Sequence, residues 1–169
     1  MRIFALISLL FAFYSNAEEK QFDLGSGLLV KIEEKPFLSS EWEITYCENG
    51  TSVCQINGSY PFGAAARIPK TYLSKLAVSF KGKEYALDSS AMFNAWGERP
   101  LFYENGIQYF AGVCNHDNWC TLRGLFSDSA GSFVAEWQLR DGVVQRTIIT
   151  YSDDVVHLFM KNITPPIYD

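Results

Sequence analysis

The hydrophobic and polar positions of this chain alternate in short runs, and glycine, asparagine or aspartate residues separate the runs. This period of two, interrupted by turn residues, is typical of antiparallel β-sheet. It predicts a series of hairpins along the chain. Their expected spans are 22–33 around Gly25-Ser26-Gly27, 42–56 around Asn49-Gly50, 76–87 around Lys81-Gly82-Lys83, 107–126 around residues 115–119, and 132–150 around Asp141-Gly142.

The last of these hairpins can be predicted residue by residue, because Asp141-Gly142 suits a two-residue turn. The predicted cross-strand pairs are Arg140 with Val143, Leu139 with Val144, Trp137 with Arg146, and Ala135 with Ile148. One face, made of Phe133, Ala135, Trp137, Leu139, Val144 and Ile148, belongs in the core. The other face is polar and is expected to meet water or a partner; it carries Glu136, Gln138, Gln145 and Thr147. The guanidinium of Arg146 is expected to lie on the indole of Trp137.

Helical periodicity occurs mainly near the end of the chain. Ser152 is expected to cap a helix over 153–162, in which Val156, Phe159, Met160 and Ile163 recur at helical spacing. Shorter helical segments are predicted at 89–96 and within 68–75. Strands still outnumber helices, so the pattern predicts an α+β, β-rich fold: an antiparallel sheet sandwich or open barrel built of hairpins, with a C-terminal helix and one or two short helices.

Residues 1–17 have the composition of a cleaved secretory signal peptide. Arg2 precedes an apolar run of about a dozen residues, and Ala17 precedes a charged segment. A membrane helix needs roughly 20 apolar residues, so this run is too short to be one. We expect a periplasmic or secreted protein, not embedded in a membrane, that is cleaved near Ala17. Residues 18–169 then form a single globular domain.

The chain is acidic, with 14 lysine and arginine residues against 19 aspartate and glutamate residues and a net charge of −5. This balance disfavours nucleic acid as a partner and favours a basic protein. Three Asn-x-Ser/Thr triplets, at Asn49, Asn57 and Asn162, are glycan acceptors only if the chain passes through a eukaryotic secretory pathway. Asn49-Gly50 and Asn57-Gly58 are also ordinary turn dipeptides.

Four cysteines form two close pairs, Cys47 with Cys54 and Cys114 with Cys120. Opposed residues of a hairpin bring their Cβ atoms within disulfide reach, and an exported protein meets an oxidising compartment. Four cysteines allow three pairings, and the short spacings favour the two local ones. Each disulfide would then staple a short loop.

The loop between Cys114 and Cys120 is the candidate binding site. It contains Asn115, His116, Asp117, Asn118 and Trp119, which together offer hydrogen-bond donors, acceptors and one aromatic anchor. Closing a ring of this size removes roughly 2 kcal/mol of unfolded-loop freedom, so a stapled loop binds with less ordering cost. The alternative is a stapled hairpin whose polar residues are simply solvated.

Catalytic and metal chemistry find little support in the sequence. The chain has two histidines, His116 and His157, and it lacks a Gly-x-Ser-x-Gly nucleophile motif. His157 is predicted at the edge of the core, on the C-terminal helix. The cysteine spacing suits disulfides better than a zinc site. We therefore expect no catalytic residues, no metal, no cofactor and no enzymatic activity.

The segment Cys114-Asn115-His116-Asp117-Asn118-Trp119-Cys120, preceded by Tyr109-Phe110-Ala111-Gly112-Val113, resembles the protruding disulfide loop of periplasmic inhibitors of vertebrate-type lysozyme. The resemblance implies that this loop enters the cleft of a lysozyme and that His116 meets the catalytic carboxylates, with Asp117 beside it. In size, signal peptide and composition the chain is also similar to immunity proteins against peptidoglycan-degrading effectors. The expected partner is a basic lysozyme or amidase.

Three functions therefore stay open at the level of sequence. The first is a secreted or periplasmic inhibitor of a peptidoglycan hydrolase that acts through the stapled loop. The second is a carrier of a small apolar ligand, because β-rich secreted domains often enclose such ligands. The third is a secreted hydrolase that uses His116.

Overall fold

In the computed structural model, the described residues are 18–48, 50–95, 109–115, 119–127 and 131–167. They form ten strands, one 3-10 helix and one α-helix, so the predicted β-rich α+β class is confirmed. The predicted signal peptide at 1–17 lies outside the described residues. The strands are β1 (Glu18–Gly25), β2 (Leu28–Pro36), β3 (Ile44–Tyr46), β4 (Val53–Ile56), β5 (Thr71–Phe80), β6 (Lys83–Ala86), β7 (Phe110–Cys114), β8 (Cys120–Phe126), β9 (Phe133–Arg140) and β10 (Val143–Thr150).

The strands form three antiparallel sheets that do not close into a barrel. The first has the order β1-β2-β5-β6, the second β10-β9-β8-β7, and β3 and β4 form a small third sheet. The strand pairs of all five predicted hairpins are present, whereas turn residues 49 and 116–118 lie outside the described residues. At the Asp141-Gly142 turn, both residues have positive φ, at 52° and 81°.

The two four-stranded sheets face each other across one hydrophobic core, as the predicted sandwich requires. Val30 and Val78 from the first sheet share this core with Phe126 and Trp137 from the second, and all four side chains are fully buried. At one side of the sandwich, the rings of Phe22 on β1 and Phe110 on β7 stack with centroids 6.0 Å apart. The alternation of apolar residues along the strands therefore determines which face of each sheet lies in the core.

The predicted register of the last hairpin holds as far as Trp137 and Arg146 and then shifts by one residue. A β-bulge between Arg146 and Ile148 pairs Ile148 with Glu136 and Ile149 with Ala135. Ile149 consequently packs on the main core, whereas Ile148 packs on the opposite face. The prediction that Ile148 faces the core is wrong, because a bulge inserts one extra residue into a strand and reverses the faces beyond it.

The face of the second sheet that was predicted to be polar and open is partly covered. Helix α1 (Asp153–Lys161) packs on it through Val156 and Phe159, which bury Val134. Glu136 is buried beneath this helix, with 7 % of its surface exposed. Two expectations for the helix itself are wrong, because His157 and Met160 are both exposed and do not belong to the core.

The two short helices predicted at 89–96 and within 68–75 are not present in the described residues. Thr71 begins β5, and Met92 and Phe93 make isolated bridges to Phe62 and Tyr72. Ala91 and Asn94 have φ of 61° and 42°, which interrupts any helix through this segment. The 3-10 helix lies elsewhere, at Ser39–Glu41. Burial of alternate side chains outweighs local helix propensity at both places.

Candidate functional site

The candidate loop is stapled at the end of the β7–β8 hairpin. Cys114 and Cys120 face each other as direct cross-strand partners and form a disulfide with their Cα atoms 4.0 Å apart. Cys47 and Cys54 form the second disulfide beside the third sheet. Both predicted local pairings are confirmed, and all four cysteines are oxidised. Each pair is brought together by its own hairpin.

Hydrogen bonds inside the disulfide close the base of this loop a second time. The Asn115 N–H donates to the carbonyl oxygen of Trp119 at 2.9 Å, and the Trp119 N–H donates to Asn115 Oδ1 at 3.1 Å. Asn115 and Trp119, two of the five predicted binding residues, therefore hold each other in place. The other three, His116, Asp117 and Asn118, lie outside the described residues. The residues on either side of 116–118 are thus fixed by one disulfide and two hydrogen bonds.

Trp119 is the residue of the loop base with unused hydrogen-bonding capacity. Its Nε1 is buried, and it finds no acceptor among the described residues. A buried N–H without a partner costs about 1–3 kcal/mol, so a protein retains one only where something else offsets that cost. The indole lines a cleft of about 250 Å³ that opens to solvent, together with Val113, Asn115, Thr121, Pro166 and Ile167.

A cation that the sequence analysis missed lies next to this loop. The guanidinium of Arg140, at the end of β9, sits 5.2 Å from the centroid of the Trp119 ring. Its side chain is 70 % exposed, and Asp141 approaches it at 3.9 Å. The β8–β9 register pairs Cys120 with Leu139 and so brings Arg140 to the loop. Residues so far apart in sequence meet only through this pairing, so local pattern carries no signal for the contact.

A second cleft, which the sequence analysis also missed, lies between the small third sheet and the segment that precedes residue 95. Its floor contains buried Ile56, Met92 and Phe93, and its rim contains the partly exposed rings of Trp42 and Tyr72. The volume of the cleft, including its open mouth, is about 710 Å³. The aromatic residues come from three separate segments, and nothing in their local spacing predicts that they meet.

The remaining candidate groups are placed as follows. Asn57 and Asn162 are exposed, and Asn49 lies outside the described residues. Asn57 Oδ1 accepts a hydrogen bond of 2.9 Å from the Glu43 N–H, so this side chain supports a turn. Across the described part of the chain, no group of three or more His, Cys, Asp or Glu side chains is arranged to hold a metal ion.

Fold and site together define a β-rich sandwich with two disulfides and a stapled hairpin loop. No family model, curated protein or solved structure matches the chain. Among the residues described, no helix has the length and apolar character needed to cross a membrane.

Proposed function

We propose that this protein is a periplasmic or secreted binding protein that inhibits a peptidoglycan hydrolase by inserting its Cys114–Cys120 loop into the active site of that enzyme. The observation that carries the proposal is the double closure of the loop base by the disulfide and by the Asn115–Trp119 hydrogen bonds. A loop whose ends are fixed before binding loses less conformational entropy when it enters a cleft. His116 is the proposed plug residue, and Asp117 lies next to it in the chain.

The chemistry of a glycosidase active site suits a histidine. Two carboxylates flank the bond that such enzymes cleave, and an imidazolium can donate a charge-assisted hydrogen bond to each. The net charge of −5 would also attract a basic enzyme and increase the association rate.

The test is a cell-wall lysis assay with a vertebrate-type lysozyme and, separately, a peptidoglycan amidase. The oxidised domain is expected to slow one of the two enzymes. His116→Ala should weaken inhibition tenfold to a hundredfold, since each lost charge-assisted bond is worth about 1.5–3 kcal/mol. The matched control is His157→Ala, because the chain has one other histidine and that residue is exposed on α1. Equal inhibition by both variants would contradict the plug role of His116.

The two disulfides provide a second matched pair. Replacing Cys114 and Cys120 by serine should weaken inhibition, since the loop then pays its ordering cost on binding. Replacing Cys47 and Cys54 by serine removes a staple of similar ring size beside another sheet. That variant should retain the wild-type inhibition constant, and it should lose less stability in urea because Cys54 is exposed whereas Cys120 is fully buried. Inhibition that is lost equally in both variants would point to general unfolding.

The alternative functions give different outcomes in the same experiments. A secreted hydrolase that uses His116 would itself lyse cell walls, and His116→Ala would abolish that lysis. A carrier of an apolar ligand would take up an apolar dye and leave both enzymes unaffected. In the described structure, bulky side chains such as Phe126, Phe133 and Trp137 fill the space between the sheets, which favours the inhibitor over a ligand enclosed there.

A further inference from the structure

We propose that the cleft lined by Trp42 and Tyr72 binds a neutral sugar ring. This proposal is independent of the inhibitor function, because the cleft lies beside the third sheet, whereas the stapled loop ends the β7–β8 hairpin. It rests on the pairing of an aromatic platform with hydroxyl groups in one cleft.

The aromatic platform is fixed before any ligand arrives. The indole of Trp42 stacks on Phe37 with centroids 5.1 Å apart, and it meets Tyr72 and Phe93 edge to face at 5.0 and 5.6 Å. Phe37 and Phe93 are buried, whereas Trp42 and Tyr72 stay partly exposed. These contacts hold the exposed rings in one orientation. A rigid, partly exposed aromatic surface offers its electron-rich faces to the C–H groups of a flat apolar ligand face.

The polar groups of the cleft are hydroxyls and an amide. Four serines, Ser59, Ser74, Ser89 and Ser90, line the wall together with Asn57. A hydroxyl both donates and accepts, so it can pair with a ligand hydroxyl in either direction. Asn57 Oδ1 is occupied by the Glu43 N–H, and its amide NH₂ has no partner among the described residues. Ser74 Oγ donates to Glu33 and Ser89 Oγ donates to the carbonyl oxygen of Leu73, so both can still accept from a ligand, whereas Ser90 Oγ accepts from Arg146 and can still donate.

None of the described residues that line the cleft has a charged side chain, although Glu33 and Arg146 lie behind the wall and bond to Ser74 and Ser90. By contrast, the cleft next to the Asp141-Gly142 turn is lined by Lys81, Lys83 and Asp141. Glu33 and Arg146 already form ion pairs with Lys35 and Asp88, which favours a neutral ligand over an ionic one. A sugar ring has an apolar C–H face and a rim of hydroxyl groups, which matches a platform beside serines. The space that water-sized molecules can occupy in the cleft is about 320 Å³, at the lower end of the range of small-ligand sites, roughly 300–1,000 Å³.

The experiment uses chitotriose, an N-acetylglucosamine trimer, and maltotriose, a neutral glucose trimer, titrated into the full oxidised domain. Binding is measured by calorimetry and by tryptophan fluorescence. We expect saturable binding of at least one trimer, with an affinity that is unchanged by added salt because no ion pair forms. Binding of chitotriose alone would indicate recognition of an amino sugar of the cell-wall type. Binding of maltotriose, alone or together with chitotriose, would indicate recognition of the neutral ring.

Three variants locate the site. Trp42→Phe keeps an aromatic ring in the Phe37 cluster but reduces the platform, and Ser59→Ala removes one hydroxyl of the wall. Each should weaken binding of the trimer at least fivefold, and Ser59→Ala should do so with the wild-type urea midpoint, because Ser59 is exposed. The matched control is Tyr151→Ala, which removes an aromatic ring that is 58 % exposed and does not line this cleft. It should leave trimer binding unchanged.

Several outcomes would overturn the proposal. One is the absence of saturable binding of either trimer at 20 mM, which is about the limit for a weak sugar site (Kd near 1 mM is only about 4 kcal/mol). Another is binding that Trp42→Phe and Ser59→Ala leave unchanged, because the sugar would then bind elsewhere. A third concerns competition for the bound trimer. If an apolar dye displaces it and the other trimer does not, the cleft is an apolar ligand site.

Discussion

Arg123 on β8 and Glu136 on β9 are cross-strand neighbours that form an ion pair of 2.8 Å beneath helix α1. Their side chains are 14 % and 9 % exposed. Arg123 also lies 4.6 Å from the ring centroid of Phe159 on the helix, and Thr147 donates to the other carboxylate oxygen of Glu136 at 3.0 Å. The pair therefore connects the second sheet to the helix that covers it.

Replacing Glu136 by glutamine should destabilise the domain substantially. Loss of one partner of a buried pair leaves the other charge unpaired, which costs about 3–5 kcal/mol, and the lower end applies because Arg123 keeps its contact with Phe159. The double variant Arg123→Met/Glu136→Leu should recover most of this loss, since it removes both charges. Urea unfolding of the wild type, of Arg123→Met, of Glu136→Leu and of the double variant measures the coupling. Additive losses in the double variant would contradict the pairing.

The indole N–H of Trp137 has a hydrogen-bond acceptor, whereas that of Trp119 has none among the described residues. Replacement by phenylalanine should therefore reduce the free energy of unfolding by different amounts at the two positions. Trp137 Nε1 donates to the carbonyl oxygen of Asp88 at 3.0 Å, and Arg146 reaches the same carbonyl at 3.4 Å. Trp137→Phe should reduce the free energy of unfolding by about 0.5–1.5 kcal/mol through the lost hydrogen bond, because Arg146 still donates to the carbonyl, and further through the cavity. Thermal and urea unfolding provide the measurement.

Trp119→Phe is the matched control for that change. Its Nε1 has no acceptor among the described residues, so phenylalanine removes an unsatisfied donor and leaves no carbonyl behind. We expect its stability to fall by clearly less than that of Trp137→Phe. The two variants are compared in the same urea titration, and equal losses would show that ring size alone accounts for both.

Gly63 should be far less tolerant of alanine than Gly58, although both have positive φ, 84° and 74°. A Cβ at Gly63 would overlap the carbonyl oxygen of Phe93, whereas a Cβ at Gly58 would meet nothing within 4 Å. Gly58→Ala should cost about 1–2 kcal/mol, the penalty of the left-handed backbone. Gly63→Ala should cost about 4 kcal/mol or more, in the exceptional range for one substitution. Similar unfolding midpoints for both variants would contradict this packing.

Stability should decline as the pH falls below about 4.5, the ordinary pKa of glutamate. A hydrogen bond from Lys35 holds the pKa of Glu33 below that value, and a hydrogen bond from Lys31 does the same for the pKa of Glu84. A carboxyl group whose folded-state pKa is lowered stabilises the fold above its unfolded-state pKa. That contribution is lost as the pH falls through the folded value.

The measurement is the urea midpoint at pH 7, 5, 4 and 3. These ion pairs are partly exposed, so the effect is modest and should shrink in 1 M salt. The variant Glu33→Gln/Glu84→Gln should show a shallower decline between pH 5 and pH 3 than the wild type. An unchanged slope in that variant would assign the acid sensitivity to other carboxylates.

The sequence by itself determined the hairpins, their turns and the first part of the β9–β10 register. Each of these depends on contacts between residues close in the chain, such as Arg140 with Val143 across Asp141-Gly142. The same local geometry placed both cysteine pairs within disulfide reach. Three of the proposed binding residues, His116, Asp117 and Asn118, lie outside the described residues, so their role is still a prediction.

Only the tertiary structure decided which faces of the sheets are covered and which residues meet in the clefts. The bulge before Ile148 moved that residue to the helix side, and packing of α1 turned Glu136 from a predicted surface residue into a buried one. The contact of Arg140 with Trp119 and the Trp42 cluster join segments far apart in the chain. A period of two specifies two faces for each strand. Which element covers each face depends on how the sheets and the helix pack. Local sequence does not encode this packing.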